Sequence, residues 1–185
     1  MTNRDQDYLS YYRSMVIIRQ FKTLAGELFA DLHFSDFMTC GMDEITNQTA
    51  KIRYMSGGQV KVPMVIWCPD GAGLRAAAQH SQSLESWFVH TPGLKVAVPS
   101  EPADVKGLIK AALRDDDPVI FFQHKKLLSR EGPVPQDEYI IPSGQAAVKQ
   151  AGEDITLLSY GAGFYLYEEA LAGLKNLKSM LKLLI

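Results

Sequence analysis

The sequence predicts an α/β protein: a parallel sheet with flanking helices. Three observations carry this. Short apolar runs alternate with helical patterns from Pro63 to Phe122. Proline, glycine or acidic turns bound each run. A glycine-rich loop, Asp70-Gly71-Ala72-Gly73, follows the first run, and α/β folds place chemistry at the carboxyl ends of their strands. The 185 residues suffice for one domain with a core. A hydrophobic share of 46% and a charged share of 22% fit neither a disordered chain nor a membrane protein. No apolar run approaches the roughly 18 residues of a spanning helix, and the first ten residues lack the apolar core of a secretory signal. A net charge of −2 gives no reason to expect nucleic acid or an anionic membrane surface as partner. The expectation is a cytoplasmic protein with Cys40 and Cys68 as reduced, buried thiols, since no CxxC or HxxxH spacing offers a metal or redox site.

After a polar lead-in, Tyr8 to Leu32 carries apolar residues at three- and four-residue steps (Leu9, Tyr12, Val16, Ile17, Phe21, Leu24, Leu28), which predicts one long helix. Ser35 or Asp36 is placed to cap a second helix over Phe37 to Tyr54, with an apolar stripe of Met38, Met42, Ile45, Thr49, Ile52 and Met55, ended by Gly57-Gly58. Met64 to Cys68, between Pro63 and Pro69, reads as a buried strand. Leu94 to Val98 is a second strand. Ser100 to Leu113 is a helix with Ser100 as cap and Pro102 in its first turn. Arg114 to Pro118 is a polar turn and Val119 to Phe122 a third strand. Residues 129–153 read as an irregular linker with a strand at Tyr139 to Ile141. Ile155 to Tyr160, the turn Gly161-Ala162-Gly163 and a helix over Tyr165 to Leu174 form one βα unit of a further domain. Such a unit cannot bury its own faces and needs a partner to be well ordered.

The polar cluster Gln79-His80-Ser81-Gln82 sits behind three alanines after the glycine loop. His80 is the leading candidate for chemistry, because a neutral imidazole donates or accepts a proton near physiological pH. The residues alone favour the other reading, a hydrogen-bonded structural histidine. His90 and His124 read as ordinary surface or interface residues, and Asp115-Asp116-Asp117 as a solvated turn.

NQTAKIRYMSGG (47–58), the stretch from PDGAGLRAAAQHSQS to DDDPVIFF (69–122) and DITLLSYGAG (154–163) resemble the beta subunit of the thiamine-diphosphate-dependent 2-oxo acid dehydrogenases, the pyruvate, branched-chain and acetoin enzymes. The likeness covers residues 31–175. It implies a partial transketolase-like pyrimidine-binding domain over 33–128, a linker over 129–153 and the start of a transketolase C-terminal domain over 154–185. Residues 8–31, within 1–32, instead resemble the opening helix of the family's alpha subunit. The family's first strand and helix, with the glutamate that activates the cofactor, have no counterpart here, and Trp67 stands where the family usually has arginine. The resemblance implies His80 as the active-site histidine, Phe37 packing on the aminopyrimidine ring, and His33 at a pocket-lining position often apolar in the family. It implies backbone carbonyls of Met64, Ala112, Asp115 and Asp117 around a monovalent cation such as potassium. It further implies magnesium and diphosphate binding by an alpha-subunit partner, acyl transfer to a lipoyl-bearing acyltransferase, and a heterotetramer. The alternative expectation is a truncated, non-catalytic remnant that at most docks on family partners.

Overall fold

The computed structural model describes residues 28–173 and 181–185. Its main sheet has four parallel strands: β1 (Leu28–Asp31), β2 (Met64–Asp70), β3 (Lys95–Ala97) and β4 (Val119–His124), in the order β1-β2-β4-β3. β2 and β4 are central, with Val65 opposite Val119, Trp67 opposite Phe121 and Asp70 opposite His124. Strands covered on both faces read as continuous apolar runs, and Val119 to Phe122 are all buried. Successive side chains point to opposite faces. Ile66, Cys68, Ile120 and Phe122 therefore face Met38, Ile45, Leu84 and Phe88, while Val65, Val119 and Phe121 face Ala112 and its neighbours on α3 (Pro102–Leu113).

The predicted parallel α/β sheet is thus present, and several expectations need correction. Leu28 to Asp31 are a strand, not the end of a helix, so the sheet begins inside the segment 1–32. The step pattern of the preceding residues runs into LFAD without a proline, but these four pair in register with Met64 to Trp67, and sheet pairing overrides the helical pattern. The remainder of the predicted helix, 8–27, lies outside the described residues.

The second helix is three pieces: a 3-10 turn (Ser35–Gly41), a π-helical turn (Glu44–Thr49) and α1 (Ala50–Met55). The changing number of residues per turn rotates the apolar stripe. Met38 and Ile45 are buried and Met42 packs against them, but Ile52 and Met55 point into solvent. Neither Ser35 nor Asp36 caps this helix; its N-cap is Phe34, without a side-chain bond. On α3 the cap is Glu101 rather than Ser100, closed by a reciprocal box in which the Glu101 N–H donates to Asp104 at 3.1 Å. A short helix after the polar cluster, α2 (Glu85–Val89), has no counterpart in the sequence reading and buries Phe88 against Phe122, 5.8 Å between centroids.

Within 129–153, Tyr139 to Ile141 are not a strand. They lie across α3 at Gly107, where a Cβ would stand 2.6 Å from Ile141, and the Tyr139 hydroxyl donates to the Ala103 carbonyl at 2.7 Å. A second sheet has the order β5-β7-β6, from β5 (Val148–Gln150), β6 (Ile155–Leu158) and β7 (Leu181–Leu184), beside α4 (Gly163–Gly173). Phe164, Leu171 and Leu183 form its small core, and Ile155, Leu158 and Leu166 remain exposed. The Arg130 guanidinium stacks 3.4 Å from the Tyr165 ring centroid, and Tyr165 donates to the Ser100 carbonyl at 3.1 Å, tying α4 to the main sheet. Cys68 is buried as expected, but Cys40 is exposed on the 3-10 turn. Among the described residues, no helix is long and apolar enough to cross a membrane.

Candidate functional site

The carboxyl ends of β2 and β4 gather a compact polar and aromatic group. β2 ends at Asp70, which is 1% exposed, and β4 at His124, followed by Lys125, which is 3% exposed. The extended residue Phe34 and the 3-10 turn behind it bring in Phe34, Ser35, Asp36 and Phe37. A one-turn 3-10 segment, Ala78–His80, brings in His80. The loop before it is strained: Arg75 and Ala77 take φ of 56° and 66°, and Ala77 has ψ 176°, a region otherwise left to glycine. The Ala77 carbonyl anchors the turn by accepting from the His80 N–H at 3.3 Å and the Ser81 hydroxyl at 2.8 Å.

His80 stacks on Phe34 with 4.6 Å between centroids and 16° between planes, and lies 5.4 Å from Phe37 at a tilt of 50°. Phe37 is 47% exposed, so one side of its ring is open to a ligand. Lys125 Nζ is 5.1 Å from the Phe34 centroid. Beneath the rings, the Ser35 hydroxyl donates to Asp70 Oδ1 at 3.3 Å, and Gln82 Nε2 donates to Asp36 Oδ1 at 2.7 Å. The Gly71 N–H reaches both Asp70 Oδ1 and, at 2.9 Å, the Gln82 carbonyl. Among the described residues the buried polar side-chain atoms without a hydrogen-bond partner are Asp36 Oδ2, Asp70 Oδ2, His80 Nδ1 and Lys125 Nζ. All four belong to this one group. Buried polar atoms are normally paired, and the exceptions mark functional sites or water and ligand positions.

Burial pushes the Asp70 carboxyl above the ordinary carboxylate range, against the Gly71 and Leu84 N–H groups, the Ser35 hydroxyl and Lys125. Burial also raises Glu85 on α2, and Asp70 adds to that. Cys68 is pushed far up by burial and by Asp70, leaving it an inert thiol. His124 is not an ordinary surface residue. It is half-buried against Gly71, where a Cβ would stand 2.2 Å from its Nε2, and its Nδ1 accepts the Lys126 N–H at 3.2 Å. Burial, Lys126 and Lys125 together lower its pKa.

His80 and Phe37 are therefore brought together. His33 is exposed and makes no ring contact with them among the described residues. Met64, Ala112, Asp115 and Asp117 lie at the opposite, amino end of the sheet. Asp115 N–H donates to the Ala112 carbonyl at 3.2 Å and Asp117 N–H to Asp115 Oδ1 at 2.9 Å, while Met64 is tied through Val62 to the neighbouring Asp116 carbonyl. Lys95 Nζ bonds both Asp115 carboxylate oxygens at 2.7 Å and reaches Asp117 at 3.1 Å. Among the described residues no three His, Cys, Asp or Glu side chains are grouped to hold a metal ion. The sequence points to no site role for Phe34 or Lys125, and it offers Ser35 and Asp36 only as helix caps and Asp70 only as the first residue of the glycine loop. HFSDF looks like a helix cap, and nothing in the sequence distinguishes buried Lys125 from exposed Lys126. Trp67 is settled by Gln123, whose side chain accepts its indole N–H at 3.0 Å.

A parallel sheet delivering a stacked histidine, an open aromatic ring and unsatisfied buried charges at the ends of its two central strands defines an α/β ligand-binding domain. Residues 24–131 match the family described as transketolase, pyrimidine binding domain, and the chain belongs to that family. It is 51% identical over 145 residues to the acetoin:2,6-dichlorophenolindophenol oxidoreductase subunit beta of Cupriavidus necator, covering 78% of this chain and 43% of that one. It is 47% identical over 133 residues to the 2-oxoisovalerate dehydrogenase subunit beta of Bacillus subtilis, covering 71% of this chain and 41% of the relative. The chain thus spans less than half the length of these relatives. A solved structure titled split gene transketolase, inactive beta4 tetramer, shares the fold with a TM-score of 0.72 at 19% identity, over 92% of this chain and 52% of that one.

Proposed function

We propose that this chain is a beta-type component of a thiamine-diphosphate-dependent 2-oxo acid or acetoin dehydrogenase, supplying the pyrimidine half of a site shared with an alpha subunit. The observation that carries this is His80, stacked on Phe34 with a buried, unpartnered Nδ1 beside the open ring of Phe37. Those residues fit the cofactor: Phe37 offers a flat apolar face to an aminopyrimidine ring, and His33 lines the approach. When bound, thiamine diphosphate supplies a nucleophilic carbon and an electron sink for decarboxylation. The His80 imidazole would hold or move a proton towards the substrate or an incoming lipoyl group. The alpha subunit contributes the magnesium and diphosphate contacts, and a lipoyl-bearing acyltransferase receives the acyl group. In this reading residues 154–185 open a transketolase C-terminal domain, and the backbone carbonyls of Met64, Ala112, Asp115 and Asp117 would hold a monovalent cation such as potassium.

The test is titration calorimetry of thiamine diphosphate with magnesium into the purified chain, with and without an intact alpha subunit of the family. Binding that emerges only with the partner is the expected result. No binding in either case, with a folded circular dichroism spectrum, would refute the reading and leave a non-catalytic fragment.

A further inference from the structure

We propose that Lys125 is a positioning residue of this site: its buried ammonium pins the Phe34 ring, and through Phe34 it fixes the plane of the His80 imidazole. The inference rests on the reading of His80 given above. Lys125 stands directly after β4, and its Nζ, inside the protein, makes no hydrogen bond. A buried ammonium normally takes a carboxylate or several carbonyls. Asp70 is near enough to feel its charge, yet Asp70 Oδ2 is equally without a donor. The contact Lys125 does make is with the face of Phe34, at 5.1 Å. A cation over an aromatic face is most favourable where water is excluded.

The Phe34 backbone is held by its carbonyl, which accepts the Phe37 N–H at 3.1 Å, so the ring is placed by its side-chain contacts. Its backbone is extended, at φ −147° and ψ 143°, and among the described residues its ring meets Lys125, Phe37 at 6.3 Å and the near-parallel His80. The ring that sets the imidazole plane is thus itself set by the cation. Lys126 cannot substitute. It is exposed, and its stem lies over Gly73, where a Cβ would be 2.5 Å from its Cε.

The test uses the full chain and needs neither cofactor nor partner. Diethyl pyrocarbonate acylates accessible imidazoles, and peptide mass spectrometry gives the rate at His80 relative to exposed His90. Lys125→Met keeps the stem and removes the charge. It should raise the His80 rate about three- to tenfold as Phe34 releases the ring, whereas Lys125→Arg, which keeps a cation over the face, should stay within about twofold of the parent. Because Lys125→Met also leaves Asp70 without a counter-charge, the double variant Lys125→Met, Asp70→Asn removes both charges and secures a folded comparison, checked by circular dichroism. A raised His80 rate in the folded double variant supports the proposal. An unchanged ratio there, or Lys125→Arg reacting as fast as Lys125→Met, overturns it. Failure of cofactor binding in the calorimetric test does not alter this readout, so the two readings fail separately.

Discussion

Gly71→Ala tests how the end of β2 is locked against the end of β4. Gly71 has φ of 80°, in the left-handed region, and its missing Cβ would lie 2.2 Å from His124 Nε2 and 2.3 Å from Cδ2. Two separable costs follow. Holding an alanine in a left-handed conformation costs about 1–2 kcal/mol. Clearing the overlap forces the imidazole outward and breaks its bond from the Lys126 N–H, which costs about 1 kcal/mol more, with lost packing of similar size. The expected total is about 3 kcal/mol. In a His124→Ala background the overlap is absent and only the backbone cost remains, about 1–2 kcal/mol. Urea unfolding of the parent, both single variants and the double variant completes the cycle, with an expected coupling of about 1.5 kcal/mol. If Gly71→Ala costs the same in both backgrounds, within about 0.5 kcal/mol, the reasoning fails, because the imidazole is then not what excludes a side chain.

Ala77→Gly should stabilise the chain by about 1 kcal/mol in the same assay, since Ala77 holds φ 66° and ψ 176° at a steric cost that glycine does not bear. With iodoacetamide, Cys40 should be alkylated in the folded chain and Cys68 only after denaturant is added, as mass spectrometry would show; rapid folded-state labelling of Cys68 would contradict its burial. Stability should respond to pH in two opposite ways. The raised carboxyls of Asp70 and Glu85 bind protons more tightly in the folded state, so their contribution is full below the ordinary carboxylate range and is lost as pH climbs through the raised values. The lowered imidazole of His124 contributes above the ordinary histidine range, and that contribution is lost as pH falls through its lowered value. Glu85→Gln should flatten the first slope and His124→Gln the second in thermal melts followed across pH 4–8.

The strands of the main sheet were legible because a parallel strand covered on both faces must be apolar throughout, and VIFF and MVIWC leave no other placement. β1 was not, because LFAD continues a helical step pattern and only its pairing with β2 identifies it. Of the site, His80 and Phe37 could be named in advance. Ser35 and Asp36 could not, because a serine or aspartate before a helix normally serves the backbone. Here both serve carboxylate and amide partners across the fold, and a local rule that fails in this way is expected at functional or strained positions. Lys125 was hidden for a different reason: burial of one of two adjacent lysines depends on where β4 ends, which sequence alone does not state.

Among the described residues, the order β1-β2-β4-β3 puts the candidate site at the ends of the two strands that have neighbours on both sides. Edge strands open by local fraying, whereas central strands exchange their amide protons only when the whole unit opens. The backbone beneath Asp70 and Lys125 therefore belongs to the last part of the domain to let go. This end of the sheet is thus tied to cooperative unfolding through β2 and β4, whereas loosening of β1, which leads within three residues to Phe34, would carry the aromatic side of the candidate site with it.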